Sequence, residues 1–356
     1  MRAAVERARI NGNDVDEVIM GNVLPAGQGQ APARQAALGA GLPDSTGCTT
    51  INKVCGSGMK AAMIAHDLIA LGTNRVMVTG GMESMSNAPY LLPKARAGLR
   101  LGHAEIKDHM FLDGLEDAYD PGRLMGTYAE ETAAKYGYTR EAQDRYAITS
   151  LNRAQDAIRS GRFRSEIVAV TTGTVSVDQD EQPLKANADR IPQLKPAFRK
   201  DGTVTAANSS SISDGAAAMV LMSLSEAQRR GIAPLARIVG HATHAQAPAW
   251  FTTAPVRAIQ KLFEKTGWDA KSTDLFEINE AFAVVAMAAM DDLKLTHERV
   301  NVHGGACALG HPLGASGARI MVTLLNALEA HGLRRGIAAL CIGGGEATAI
   351  ALERFV

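Results

Sequence analysis

The sequence predicts an α/β protein made of two similar halves packed back to back, with a loop domain inserted between them. Three observations carry this reading. An order of elements near the start recurs near the end. In each copy a β-branched run leads through a glycine-rich turn into an apolar helix. The stretch between the copies has a different texture. Two copies of a β/α order read as a duplicated layered fold, and fewer than three argue against a solenoid. The 356 residues, 46% of them hydrophobic, suffice for two or three domains or one large duplicated one.

Residues 1–11 read as a charged helix and 16–23 as a strand, followed by a Gly/Pro/Gln loop and a helix over 33–40. Cys48-Thr49-Thr50-Ile51-Asn52-Lys53 is strand-like. After Val54-Cys55-Gly56-Ser57-Gly58, residues 59–71 are rich in Ala, Met, Ile and Leu, as suits a helix. Residues 75–81 close the unit as a strand ending in glycines. The end of the chain repeats the plan, with a helix over 256–266, a strand over 273–280 and a helix over 281–293. Val300-Asn301-Val302-His303 then leads into a glycine-rich turn, a helix over 318–330 and a strand over 336–341 that ends in Gly343-Gly344-Gly345. The second half has one more strand, over 234–243, before its first helix. The first half starts at its helix and is therefore expected to lack an N-terminal strand.

Between the copies, residues 87–120 are irregular, 125–159 read as two helices and 168–196 as extended and polar. Residues 215–222 form an apolar strand returning to the first half. The expected division is 1–86 plus 213–232 for the first half, 87–212 for the loop domain and 233–356 for the second half.

Lys+Arg and Asp+Glu number 37 each, so the formal net charge is zero. No general attraction to nucleic acid or to an acidic membrane surface follows. The longest apolar stretch, near 281–290, is too short to span a bilayer. Cys48, Cys55, Cys307 and Cys341 form no CxxC pair and no disulfide-like framework, which points to a reducing, cytoplasmic setting. No metal-ligand spacing is evident.

Cys55 stands at a tight strand-to-helix junction. Helix N–H groups and the macrodipole favour a thiolate there, and the small Gly56, Ser57 and Gly58 leave room for a substrate. A buried structural cysteine beside a glycine turn accounts for this stretch equally well. His311, in Gly310-His311-Pro312, occupies the equivalent point of the second copy. Two such turns meeting at one end of a double-layered fold bring nucleophile and base together. The phosphate-loop alternative is weak, because no Gly-Lys-Ser/Thr follows the glycines. Cys341 lies at a strand end beside the backbone N–H groups of the 343–345 glycines. Asn279, at the end of the matching inner strand, offers an amide that can hold a water or polarise a carbonyl. Cys48 and Cys307 read as packing residues.

Asn52-Lys53-Val54-Cys55-Gly56-Ser57-Gly58, Asn279-Glu280-Ala281-Phe282, Gly310-His311-Pro312 and Cys341-Ile342-Gly343-Gly344-Gly345, in this order, resemble the thiolases, above all the biosynthetic acetoacetyl-CoA type. The resemblance covers the whole chain. It implies a layered α-β-α-β-α fold and a ping-pong Claisen condensation of two acetyl-CoA to acetoacetyl-CoA and CoA, with no cofactor beyond these thioester substrates. Cys55 would carry the acetyl group and His311 would activate it. Cys341 would exchange the C2 proton, and Asn279 would hold a water in one oxyanion hole with His311. The N–H groups of Cys55 and Gly343 would form the other hole. Ser210, Phe198, Ala206, Met125, Ala281 and Phe282 match positions lining the pantetheine pocket. Leu124 stands where biosynthetic members often have His, and Lys185 or Arg190 where an Arg commonly faces the adenine. The resemblance also implies a homotetramer or homodimer assembled through the first half, and a place in ketone-body, polyhydroxybutyrate or fatty-acid metabolism. If the family's order holds, the strand absent from the first half lies mid-sheet and leaves a gap with unpaired backbone on both sides. Within enzymes the alternative is a degradative 3-ketoacyl-CoA thiolase acting on longer chains. Outside them it is a non-catalytic or truncated acyl-CoA-binding relative.

Overall fold

The computed structural model describes residues 1–355; Val356, the last residue assigned above to the second half, lies outside them. The first half opens with α1 (Arg2–Arg7), β1 (Glu17–Gly21), α2 (Pro32–Gly39), β2 (Gly47–Ile51), α3 (Ser57–Ala70) and β3 (Val76–Ser84). Helix α1 is shorter than expected: the chain leaves it at Ala8, and Arg9 takes a positive φ of 55°. Pro32 sits in the first turn of α2, where its missing N–H costs no hydrogen bond.

The inserted region contributes the two-residue strands β4 (Tyr90–Leu91) and β5 (Lys107–Asp108), helices α4 (Met125–Tyr136) and α5 (Arg140–Arg159), and the hairpin β6 (Val170–Thr172) and β7 (Val175–Val177). Beyond the hairpin, α6 (Glu181–Lys185) and a 3-10 stretch over Ala188–Gln193 replace the extended chain expected there. Both turns begin at acceptor side chains or acidic residues: Asn187 caps the second, and Asp180 and Glu181 open the first. Strand β8 (Asp214–Met222) returns to the first half and α7 (Leu224–Arg229) follows.

The second half comprises β9 (Ala236–Ala245), α8 (Ala254–Thr266), β10 (Leu275–Ile278), α9 (Ala283–Leu293), α10 (Ala306–Leu309), α11 (Leu313–Ala330), β11 (Arg335–Ile342) and β12 (Glu346–Arg354). Helix α8 buries Val256, Ile259 and Leu262 along one stripe and ends at Gly267, whose φ of 71° closes the last turn. Helix α9 is apolar on nearly every side and is buried accordingly.

The first sheet runs β2-β1-β3-β8, with β1 parallel to β2 and β3 and with β8 antiparallel to β3. The second runs β10-β11-β12-β9, with β10 parallel to β11 and with β12 antiparallel to both neighbours. A single bridge from Phe276 to Val300 occupies the place that β2 takes in the first sheet. The counterparts are therefore β1 with β10, β3 with β11, and β8 with β12. Strand β9 is the one left unmatched, and it lies at the edge. This overturns the expected mid-sheet gap. Strands β3 and β8 pair without interruption from Val76–Met222 to Ser84–Asp214, so no backbone is stranded inside the sheet.

Helices α3 and α11 pack on each other between the two sheets, α3 against β1 and β3, and α11 against β3, β10 and β11. With α2 on the first sheet and α8 on the second, the layers are α-β-α-β-α. Among the described residues, no helix is long and apolar enough to cross a membrane.

Candidate active site

The two glycine turns meet because α3 and α11 touch at their N-terminal ends. A Cβ on Gly58 would lie 2.8 Å from the Ala318 nitrogen, and one on Gly317 only 2.4 Å from that of Met59. A Cβ on Gly56 would enter the Ile342 side chain. These small residues therefore serve helix packing. They do not open a path to the sulfur, as the sequence had suggested, and Ser57 is fully buried. Ser57 also ties its own turn, donating to the Val54 carbonyl (2.6 Å) and accepting from the Lys53 N–H (2.8 Å). Val54 completes the bend with a φ of 45°.

Cys55 is buried, and the N–H groups of Gly343 and of Cys55 itself point at its sulfur. Burial nevertheless outweighs them and, with the nearby Glu83 carboxylate, pushes the thiol up to about 11. The thiolate expected from the helix N-terminus is thus corrected: the resting group is a neutral thiol that needs a base.

His311 supplies a candidate. Ser316 Oγ donates to the Pro312 carbonyl (2.9 Å) and lies 2.5 Å from His311 Nδ1. Its only hydrogen being committed, it accepts from Nδ1–H, which makes Nε2 the unprotonated, accepting nitrogen. Asn279 Nδ2 lies 3.5 Å from that Nε2, and the buried Asn279 Oδ1 has no partner within the described residues. Burial, reinforced by Arg319, holds His311 down to about 3, so the imidazole is neutral.

Cys341 is wholly buried at the end of β11. Burial and the neighbouring Cys55 raise its thiol well above the ordinary range. It shares an apolar cluster with Ala281 and Phe282, against which Met125 and Phe198 pack. Phe198 meets Phe282 edge to face at 5.9 Å and covers Gly126. Met125 and Val54 flank Gly343, and Leu124 is the residue from which α4 starts. The Ser210 N–H donates to the Ala281 carbonyl (2.9 Å), and Ala206 is exposed nearby on the same loop. Lys185 stands apart, with its exposed ammonium paired to Glu181 one turn earlier at 3.0 Å.

A thiol facing backbone N–H groups, a neutral imidazole of fixed tautomer and a second buried thiol are thus brought together from both halves. Residues 1–225 match the model of the thiolase N-terminal domain and 232–354 that of the thiolase C-terminal domain. The chain belongs to the thiolase family. This thiolase is 51% identical over 356 residues to a probable acetyl-CoA acetyltransferase of Dictyostelium discoideum, covering 99% of this chain and 86% of that one. It is 52% identical over 360 residues to acetyl-CoA acetyltransferase 1 of Arabidopsis thaliana, with the same coverage. Among solved structures, the Acat5 thiolase of Ascaris suum in complex with coenzyme A superposes with a TM-score of 0.94 at 43% identity, over 99% of this chain and 91% of that one.

Several residues that organise the site in this thiolase went unnoticed in the sequence. The buried Glu83 accepts from the N–H groups of Val23 (3.0 Å), Leu24 (3.0 Å) and Gly314 (2.8 Å) and from Asn22 Nδ2 (2.9 Å), tying the first turn of α11 to the first half. Glu280, next to Asn279, accepts from Tyr146 and Ser150 of α5, from Asn301 Nδ2 and from the Cys307 N–H, each at 2.8–3.0 Å. Cys307 is buried there and reads as packing. Lys53 and Glu346 form an ion pair across the halves beside Cys55 and the glycine loop. An acid inside a strand or an apolar motif was the available signal, because a buried carboxylate needs donors.

Proposed function

We propose that this chain is an acetyl-CoA C-acetyltransferase, interconverting two acetyl-CoA with acetoacetyl-CoA and CoA through an acetyl-Cys55 intermediate. The observations that support the proposal are two linked sets carried by the touching N-terminal ends of α3 and α11: Cys55 with the Gly343 N–H and Cys341, and His311 Nε2 with Asn279. The names of the relatives point to the same reaction.

In thiolysis, His311 Nε2 takes the Cys55 proton and the thiolate adds to the C3 carbonyl of acetoacetyl-CoA. The developing oxyanion is met by preorganised donors. Cleavage of the C2–C3 bond leaves acetyl-Cys55 and an enolate, which takes its proton from the neutral Cys341 thiol. CoA then returns a proton to Cys341 and attacks the acetyl group, and the departing Cys55 sulfur recovers its proton from His311. Condensation is the reverse. Resting neutral states of both thiols and of the imidazole suit this sequence, since every proton has a donor and an acceptor within the site. No further cofactor takes part.

Met125, Phe198, Ala281, Phe282 and Ser210 form the pantetheine side of the pocket in this reading, with Leu124 and Ala206 at its margin. Lys185, paired on the surface, is the proposed adenine contact. The four free cysteines support a reducing, cytoplasmic setting. To test the assignment, the protein is incubated with acetyl-CoA and the adduct mapped by mass spectrometry. Acetyl on Cys55 is expected; acetyl on Cys341 or Cys307 with Cys55 unmodified would overturn it.

A further inference from the structure

Away from the thiol centre, a cluster of metal-ligating side chains spans the two halves. His66 and Asp67 are consecutive residues in the last turns of α3, and His241 lies on β9 of the second half. Consecutive helical residues do not ordinarily face a common point. Here they do: Asp67 Oδ1 lies 3.0 Å from His66 Nδ1 and 2.9 Å from His241 Nε2. The three ligating atoms all fall within 4.8 Å of one another, and the two imidazoles meet edge to face with centroids 5.2 Å apart. The side chain of His241 is 12% exposed, that of His66 31% and that of Asp67 54%, so the cluster is walled on the strand side and open on the helix side. Lys265 bonds to the His241 carbonyl (3.1 Å) and holds the strand in place there.

We propose that His66, Asp67 and His241 form a binding site for one divalent cation of the zinc class, which clips α3 of the first half to β9 of the second. Two imidazole nitrogens and one carboxylate oxygen suit Zn²⁺ and its transition-metal neighbours, whereas Mg²⁺ and Ca²⁺ take oxygen ligands. Bonds of about 2.0–2.1 Å in a tetrahedral site space the ligands about 3.3–3.4 Å apart. The present 2.9 and 3.0 Å separations therefore need to open only slightly, and the exposed side leaves the fourth position to water. Cys55 stands at the other end of α3, about 15 Å away at 1.5 Å per residue, so the ion takes no part in acyl transfer. Its effect is on stability, because binding to the folded chain alone shifts unfolding by mass action.

The test titrates Zn²⁺ into metal-free full-length protein by calorimetry and follows the melting temperature, with Mg²⁺ as control and Co²⁺ as a spectroscopic probe. The expected result is one ion per chain at micromolar affinity or better, a melting temperature raised by Zn²⁺ and not by Mg²⁺, and a cobalt spectrum without a thiolate charge-transfer band. His241→Ala and His66→Ala, one from each half, each weaken binding about tenfold or more and remove the thermal shift, with metal-free acyl transfer unchanged. Absence of saturable binding, a thiolate band, or affinity unaltered in both variants would overturn the proposal.

Discussion

At the scale of single residues, Ser316 decides which nitrogen of His311 is available. It accepts from Nδ1–H because its own proton is held by the Pro312 carbonyl. Loss of a general base costs about 10²–10⁴ in rate, so Ser316→Ala, which removes only its orientation, is expected to slow acylation of Cys55 by about 10- to 100-fold. Single-turnover release of CoA from acetyl-CoA measures this. Cys341→Ser is expected to leave acylation intact and to slow carbon–carbon bond formation by about 10²–10⁴; equal losses in both steps would end the division of labour. The pH dependence has a definite sign. His311, held near 3, stays neutral as pH falls through 6.5, so acylation is expected to show no inflection there. Alkylation of Cys55 by iodoacetamide is expected to keep rising with pH beyond the ordinary thiol range of about 8.5, toward 11. A plateau near 8.5 would contradict the neutral resting thiol.

At the scale of elements, the contact of α3 with α11 sets the distance between the two catalytic turns. Gly317→Ala puts a methyl against the Met59 backbone, and overpacking of this kind costs about 1–3 kcal/mol. The urea midpoint is expected to fall accordingly. Acylation should fall further than stability, since the displacement separates Cys55 from His311. Strand β10 and helix α11 carry a second buried tie. Glu277 lies 3.9 Å from Arg319, yet burial outweighs that attraction and raises the carboxyl to about 8. The folded chain then keeps a proton that the unfolded chain releases above about 4.5. Stability from this group is full below 4.5 and is lost as pH rises toward 8. Glu277→Gln removes the titration, so its urea midpoint is expected to depend less on pH than that of the parent between about pH 5 and 8.

At the scale of the molecule, polar ties join the halves and the loop domain beyond the packing of the middle helices. Glu83 reaches Gly314, Lys53 reaches Glu346, and α5 reaches Glu280 from the loop domain. The segment between β4 and α4 exposes Leu101 at 84%, Ile106 at 67% and Tyr119 at 72%. Exposed apolar side chains concentrated in one segment are a feature of association surfaces, and a homodimer or homotetramer is the expected assembly. Light scattering at micromolar concentration checks it: a monomeric mass would contradict the reading.

Much of this was determined by local sequence. The order of strands and helices, the duplication and the placing of Cys55, His311, Asn279 and Cys341 beside turns follow from periodicity, turn residues and spacing, which act over short separations. The helical turns at 181–193 escaped because stretches of five and six residues, each broken by a proline, are too short for a periodicity to register. What only the tertiary structure decided are the quantities set by distant partners. Sheet order is one: β8 joins β3 directly, and β9 takes the edge, since strand pairing between residues far apart in sequence leaves no local mark. Protonation is the other. A helix N-terminus favours a thiolate, but the apolar layers closing over Cys55 and His311 remove more solvation than those dipoles return, and so both groups rest neutral.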